Sequence, residues 1–206
     1  MQLATPRHAA ARVYRALAVA YHQPAEAIRV AKNLTDLRES LSAAGAADLA
    51  PLVAQMAGSV AAAPDKQDLT VEYCRLFYGP GKLVAPPYES VYLGGGVLMG
   101  EPTLGVLRRY EEAGVQVWEG FRDCPDHIAA ELEYLFFTAR EAANFAALGR
   151  ADTAQLWVQR HRAFLSEHLA AWVKPFAVKV LEGSQNVYYR ALVELTLGWV
   201  ERENGQ

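Results

Sequence analysis

His127 and Glu131 lie four residues apart in "DCPDHIAAELEYL", residues 123–135, so on a helix their side chains share one face. Cys124 stands three residues before the histidine. Imidazole, carboxylate and thiolate are all metal ligands. The HEXXH pattern and its relatives, however, need another ligand His, and this helix offers none. A His–Glu hydrogen bond, in the core or at a groove, fits the spacing better. The candidate nucleophiles are Cys74, Cys124 and Ser90. Cys74 sits in "VEYCRLFYG" between apolar neighbours and reads as a small buried residue. Cys124 precedes a helix start, a setting that can lower a thiol pKa, but no base or oxyanion site can be defined beside it. Ser90 lacks a G-x-S-x-G context. In "GGGVLMG" the sixth position from Gly94 is Met99, and "GPGKL" lacks the Ser or Thr of a Walker loop, so neither is a phosphate cradle. No catalytic residue, no metal and no cofactor is expected.

The elements that must position these residues are helices. Apolar positions repeat at the helical period near 6–21, 24–44, 47–62, 68–78, 101–113, 125–148, 152–168, 169–182 and 186–203. Pro6, Pro24 and Pro125 suit first-turn positions, where a missing N–H costs nothing. Asp126 would then favour the positive end of its own helix. Gly114, Gly149 and Gly183 stop helices, and Pro175 marks a bend or boundary. In the 125–148 helix Ile128, Leu132, Leu135, Phe136, Ala139 and Ala143 form an apolar stripe; His127, Glu131, Tyr134 and Thr138 form a second, about 100° round the helix. No segment of useful length alternates with period two, although "VYL" at 91–93 reads as locally extended. The fold class is all-α, one bundle-like domain of about nine helices. Its parts are 1–114, a 115–124 hinge, and 125–206.

The 206 residues are 52% apolar with a formal charge of −3. That balance argues against nucleic acid, whose backbone demands a basic surface. No apolar run approaches the ~20 residues of a membrane span, so no stable insertion is expected. Two cysteines without a CxxC pair suit a reducing compartment. The N-terminus is Arg-bearing and acid-free like a transit peptide, yet Ala9, Ala10, Val13, Leu17 and Ala20 make it an amphipathic first helix. The protein is read as cytoplasmic.

One connection is unusual. "APPYESVYLGGG", residues 85–96, carries paired prolines, then aromatic residues, then three glycines. Loops of this length are commonly functional. Tyr73, Phe77, Tyr78, Tyr88 and Tyr92 cluster around it. On a concave surface beside Glu72, Glu89 and Asp126, some of them would form a groove for a peptide with an apolar helix and basic residues.

Taken together, "VEYCRLFYGPGKLVAPPYESVYL" and "CPDHIAAELEYLFF" resemble the TorD/DmsD family of molybdoenzyme maturation chaperones. The match is Glu72, Tyr73, Leu76 and Phe77, then Pro-Tyr-Glu-Ser-Val-Tyr at 87–92, then Pro-Asp-His-Ile at 125–128 and Glu-Leu-Glu at 131–133. It covers the chain from about residue 68 onward; the first 60 residues match in helical character alone. The resemblance implies a cytoplasmic protein without catalytic activity of its own. Its partner would be the catalytic subunit of a molybdopterin oxidoreductase and that subunit's twin-arginine signal peptide. It would prevent premature export and assist insertion of the molybdenum cofactor. A nitrate-reductase version serves a subunit without a full export signal. The family's peptide-binding loop and Asp-His pair fall on Pro86, Pro87, Tyr88, Glu89, Asp126 and His127. Glu72, Tyr73, Phe77, Ser90, Tyr92 and Glu131 complete the expected site. The implied states are a monomer or a homodimer formed by exchanging helices about "EGFRDC". The alternatives are a metal-binding or enzymatic protein using His127, Glu131 and Cys124, or a general helical adaptor.

Overall fold

The computed structural model describes residues 6–24, 27–62, 67–79, 81–117 and 123–205. Among these, all nine expected helices are present: α1 (Pro6–Ala20), α2 (Ala27–Ala43), α3 (Ala50–Ala62), α4 (Gln67–Phe77), α6 (Glu101–Glu112), α7 (Ile128–Ala147), α8 (Ala151–Phe164), α9 (Ala170–Gly183) and α10 (Val187–Asn204). A tenth, α5 (Glu89–Leu93), is a single turn where the sequence suggested extended chain. No strand occurs among the described residues; one isolated antiparallel bridge joins Tyr88 to His127. The expected hinge at 115–124 lies partly outside the described residues, at 118–122.

α7 is the central helix, packed between α1 and α8, so both of its expected stripes are needed inside. Ile128, Leu132, Leu135 and Ala139 are buried, and so are His127, Glu131, Tyr134 and Thr138. α1 also packs on α2, and α10 packs on α3 and α9. The early and late halves of the chain therefore share one core, built on Tyr14, Tyr21, Phe164, Trp172, Phe176 and Trp199. Each fully buried side chain of this size contributes about 1.5–3 kcal/mol. The tyrosines bring hydroxyls that need partners: Tyr21 donates to Thr196 at 3.0 Å, and Tyr189 donates to the Leu69 carbonyl at 2.8 Å.

Three expectations change. The boundary placed at 168/169 is a π-turn, Leu165–Leu169, through which α8 runs into α9, and Pro175 lies inside α9. The residues flanking the turn keep right-handed helical angles, so the helix runs on through it. Pro125 and Asp126 precede α7 instead of entering it, because His127 takes the N-cap: its Nδ1 accepts the Ala129 N–H at 3.1 Å. Cys74 is half-buried, not part of the interior. Gly114 and Gly149 do end α6 and α7, at φ +69 and +71. There the Val115 and Arg150 amides return to the carbonyls of Tyr110 and Phe145, a left-handed cap that glycine alone adopts freely.

Candidate peptide-binding site

The two motifs singled out in the sequence meet in space. The Glu89 amide donates to the Asp126 carbonyl at 3.0 Å, and the Ile128 amide donates to the Pro87 carbonyl at 2.9 Å. The Asp126 carboxylate then accepts the Ser90 N–H at 2.8 Å. Asp126 thus caps α5, not the helix that follows it in sequence. The Tyr88 ring stands edge-on against the His127 ring, with centroids 5.4 Å apart. This seam fixes the Pro-Pro-Tyr loop against the start of α7.

Behind the seam lies a buried polar cluster. His168, on the π-turn, donates through Nδ1 to both Glu89 carboxylate oxygens at 3.0–3.1 Å. α6 can approach this pair because residue 105 is glycine; a Cβ there would sit 3.2 Å from His168 Cε1. Glu131 accepts the Trp172 indole N–H at 3.1 Å. Burial and the neighbouring Glu89 push the Glu131 carboxyl well above the usual range, which favours the neutral acid. Ionised, its Oε1 would be an acceptor with no donor among the described residues. Protonated, it is a donor to Glu89. His127 is likewise neutral, its pKa drawn down to about 4, chiefly by burial.

In front of the seam a cleft of about 630 Å³ opens between the ends of α1, α4 and α6 and the outer face of α7. Its walls are Tyr73, Tyr78, Tyr110, Tyr134, Phe137, Val115 and Val117. Asp123 and Glu133 stand in it, and no Lys or Arg does among the described residues. Asp123 is held on several sides. Its Oδ1 accepts the Cys124 amide at 2.9 Å, the Tyr88 hydroxyl bonds its carboxylate, and His127 Nε2 is 3.9 Å from its Oδ2. Glu133 is more exposed and faces His22 at 3.6 Å. The cleft combines aromatic walls with two carboxylates, the chemistry that receives a guanidinium on an apolar chain.

Of the twelve residues expected at the site, Tyr73 lines this cleft. Tyr88 and His127 are buried and touch Asp123 from behind. Pro87, Glu89, Ser90, Asp126 and Glu131 are buried in the seam and the cluster, and Pro86 is half-buried beside them. Tyr92 stacks on Trp172, and Phe77 belongs to the aromatic core. Glu72 lies apart, bonded to Arg75 at 2.7 Å and to Ser184. Sequence reasoning missed Asp123, Glu133, Tyr110 and Phe137 as site residues. A signal existed on α7, where Ala130, Glu133, Tyr134 and Phe137 share a third face at helical spacing. The metal and enzyme alternative meets a different geometry. Among the described residues no group of three His, Cys, Asp or Glu could hold a metal. The Cys124 thiol is not activated by a helix start; burial, with the Asp126 and Asp123 carboxylates, pushes its pKa up. No helix among the described residues is long and apolar enough to cross a membrane.

The all-α fold has a counterpart among solved structures. A protein of Archaeoglobus fulgidus assigned to redox enzyme maturation superposes with a TM-score of 0.56, covering 93% of each chain at 22% identity. The nitrate reductase delta subunit family matches residues 38–178, and the chain belongs to that family. Curated relatives are the chaperone protein TorD of Vibrio cholerae, 28% identical over 143 residues, and that of Shewanella sp. strain MR-4, 32% identical over 145. Each match takes in 68% of this chain and 64% or 63% of the relative, so it spans less than two thirds of their length.

Proposed function

We propose that the protein is a cytoplasmic, non-catalytic chaperone for the catalytic subunit of a molybdopterin oxidoreductase. It binds that subunit's twin-arginine signal peptide in the cleft, delays export, and keeps the apo-subunit competent for cofactor insertion. The observation that carries this reading is the cleft itself, ringed by tyrosines and holding Asp123 and Glu133, with His22 beside Glu133 and no Lys or Arg among its described lining. Two adjacent guanidiniums would pair with two carboxylates, and the aromatic walls would take the arginine stems and the flanking apolar residues. Tyr73 touches the peptide. Tyr88 and His127 hold Asp123, and the seam made by Pro86, Pro87, Glu89, Ser90 and Asp126 holds Tyr88. Glu131 and Tyr92 anchor the seam to Trp172; Phe77 and Glu72 set the position of α4 and hence of Tyr73. The names of the TorD relatives, which are chaperones, support the same class.

Titration of the purified chain with a twin-arginine peptide and with its Arg-Arg→Lys-Lys version tests the proposal. Binding at micromolar dissociation constant, about −8 kcal/mol, that weakens for the lysine version supports it. Equal affinity for both, or none for either, removes it.

A further inference from the structure

The α1–α2 pair carries charge of the opposite sign to the cleft. The two helices run antiparallel: Arg12 Nε donates to Ser40 Oγ at 3.4 Å, and Asn33 Nδ2 donates to the Ala16 carbonyl at 2.9 Å. Between them lies a groove of about 590 Å³. Arg12 and Arg15 stand on its α1 wall, one helical turn apart. Arg29, Lys32, Asp36 and Glu39 stand on its α2 wall, at steps of three, four and three. The described lining thus holds four cations against two carboxylates, in a chain whose net charge is −3.

We propose that this groove docks an acidic helix of a partner protein, one that carries carboxylates a turn apart along one face. The inference is separate from the reading of the cleft. Elsewhere on the surface Arg75, Arg108, Arg109, Arg140 and Arg202 each pair with a carboxylate. Arg12, Arg15 and Lys32 do not, among the described residues: Arg12 reaches Ser40, and Arg15 lies over the Phe136 ring, 5.7 Å from its centroid. The ring holds the Arg15 side chain before a partner arrives, so less rotamer freedom is lost on docking. Side chains three apart on a helix are about 5–6 Å apart at Cβ, so carboxylates at the same spacing on a facing helix match Arg12 and Arg15.

Asp36 and Glu39 decide which kind of anion fits. Arg12 is at their end of the groove, since its partner Ser40 follows Glu39 in the chain. Lys32 and Arg29 lie towards the other end, where Ala16 and Val19 face them. A nucleic-acid strand carries a phosphate at every nucleotide and would lay some of them over Asp36 and Glu39. A helix places its carboxylates singly, and can set neutral or basic residues against those two. Charge also keeps the groove and the cleft distinct. Asp123 and Glu133 repel an acidic helix, and the groove repels an arginine pair, although both sites border the same turn of α7: Arg15 lies over Phe136, and Phe137 lines the cleft.

The test uses the full chain, the double variant Arg15→Gln/Lys32→Gln and two alanine-rich helical peptides. One peptide carries glutamates at three- and four-residue spacing on one face; the other carries glutamines there. Backbone amide chemical shifts of the isotope-labelled protein are followed at low salt. The wild-type chain should bind the glutamate peptide about tenfold more tightly than the glutamine peptide, with shifts mapping to residues 12–19 and 29–40. The double variant should lose about tenfold in affinity for the glutamate peptide and nothing for a twin-arginine peptide. Both substituted positions are exposed, so circular dichroism and Tm should be unchanged. Equal affinity for the two helical peptides, shifts confined to other surfaces, or wild-type affinity in the double variant overturns the inference. Tighter binding of a single-stranded oligonucleotide of equal charge, lost in the same variant, makes the groove a nucleic-acid site and also overturns it. Binding of the glutamate peptide without binding of the twin-arginine peptide supports the inference and removes the reading of the cleft.

Discussion

Glu131→Gln is the substitution whose outcome the buried cluster constrains most tightly. Glu131 is fully buried, accepts from Trp172 and, as a neutral acid, donates to Glu89. Glutamine is neutral, keeps a carbonyl for the indole and keeps an N–H for Glu89. Below about pH 4.5, where Glu131 is protonated in the folded and the unfolded chain alike, the cost should therefore be small, under about 1 kcal/mol, the net worth of one ordinary hydrogen bond. Glu131→Ala removes both bonds, strands the Trp172 N–H and opens a cavity, which costs about 3–5 kcal/mol. The pH dependence supplies a sharper number. The folded-state pKa of Glu131 lies above its ordinary 4.5. Across the window between the two, the folded chain binds the proton and the unfolded chain does not. Wild-type stability then falls as pH rises, by about 1.4 kcal/mol per pH unit. The glutamine variant lacks this slope, so it gains on the wild type by that amount per unit from about pH 4.5 until the pH reaches the folded-state pKa of Glu131. Urea denaturation of both proteins from pH 5 to 8, fitted with a common m-value, reads the difference. A pH-independent difference, or a loss of 3 kcal/mol or more at pH 7, would refute the neutral-acid account.

Other substitutions probe the seam and its supports. His127 is neutral when folded, with its pKa lowered from 6.5 to about 4. Its contribution is complete above pH 6.5 and declines by about 1.4 kcal/mol per unit as pH falls towards 4. His127→Asn keeps a capping oxygen and does not titrate, so its stability relative to wild type should rise on acidification; parallel curves would contradict the assignment. Asp126→Ala strands the Ser90 N–H and should cost about 2 kcal/mol, whereas Asp126→Asn keeps an acceptor and should cost less. Equal losses, or unchanged amide exchange at Ser90, would show that the carboxylate does not cap α5. Gly183→Ala would place a methyl 2.2 Å from Val84 Cγ1. It should cost about 1–3 kcal/mol and be rescued by Val84→Ala in a double-mutant cycle.

The helices were legible because their signals are local. The stripe Tyr188, Leu192, Leu195 and Trp199 is buried along its whole length, and the glycine stops at 114 and 149 adopt the left-handed caps expected of them. α5 was not legible: its five residues are too few for a periodic pattern, and its cap comes from Asp126, thirty-six residues on. The π-turn at Leu165–Leu169 leaves no trace in hydrophobic spacing. The motifs around Tyr88 and Asp126 were visible as motifs, and the structure does bring them together. Which of their side chains face a cleft depends on α1 covering one side of α7 and α8 the other, a tertiary fact that no local window contains. Hence Asp123 and Glu133, unremarkable charges in the sequence, stand in the cleft while Glu89, Asp126 and Glu131 lie beneath it.

The central claim is that two carboxylates in an aromatic cleft receive a pair of arginines. Calorimetric titration of Asp123→Asn/Glu133→Gln with the twin-arginine peptide, at low and at moderate salt, tests it most directly. Loss of two partly exposed ion pairs should weaken binding about tenfold, at roughly 0.2–1 kcal/mol per pair, and should flatten the salt dependence while the Tm stays within a few degrees. Wild-type affinity and an unaltered salt slope in that variant would contradict the account.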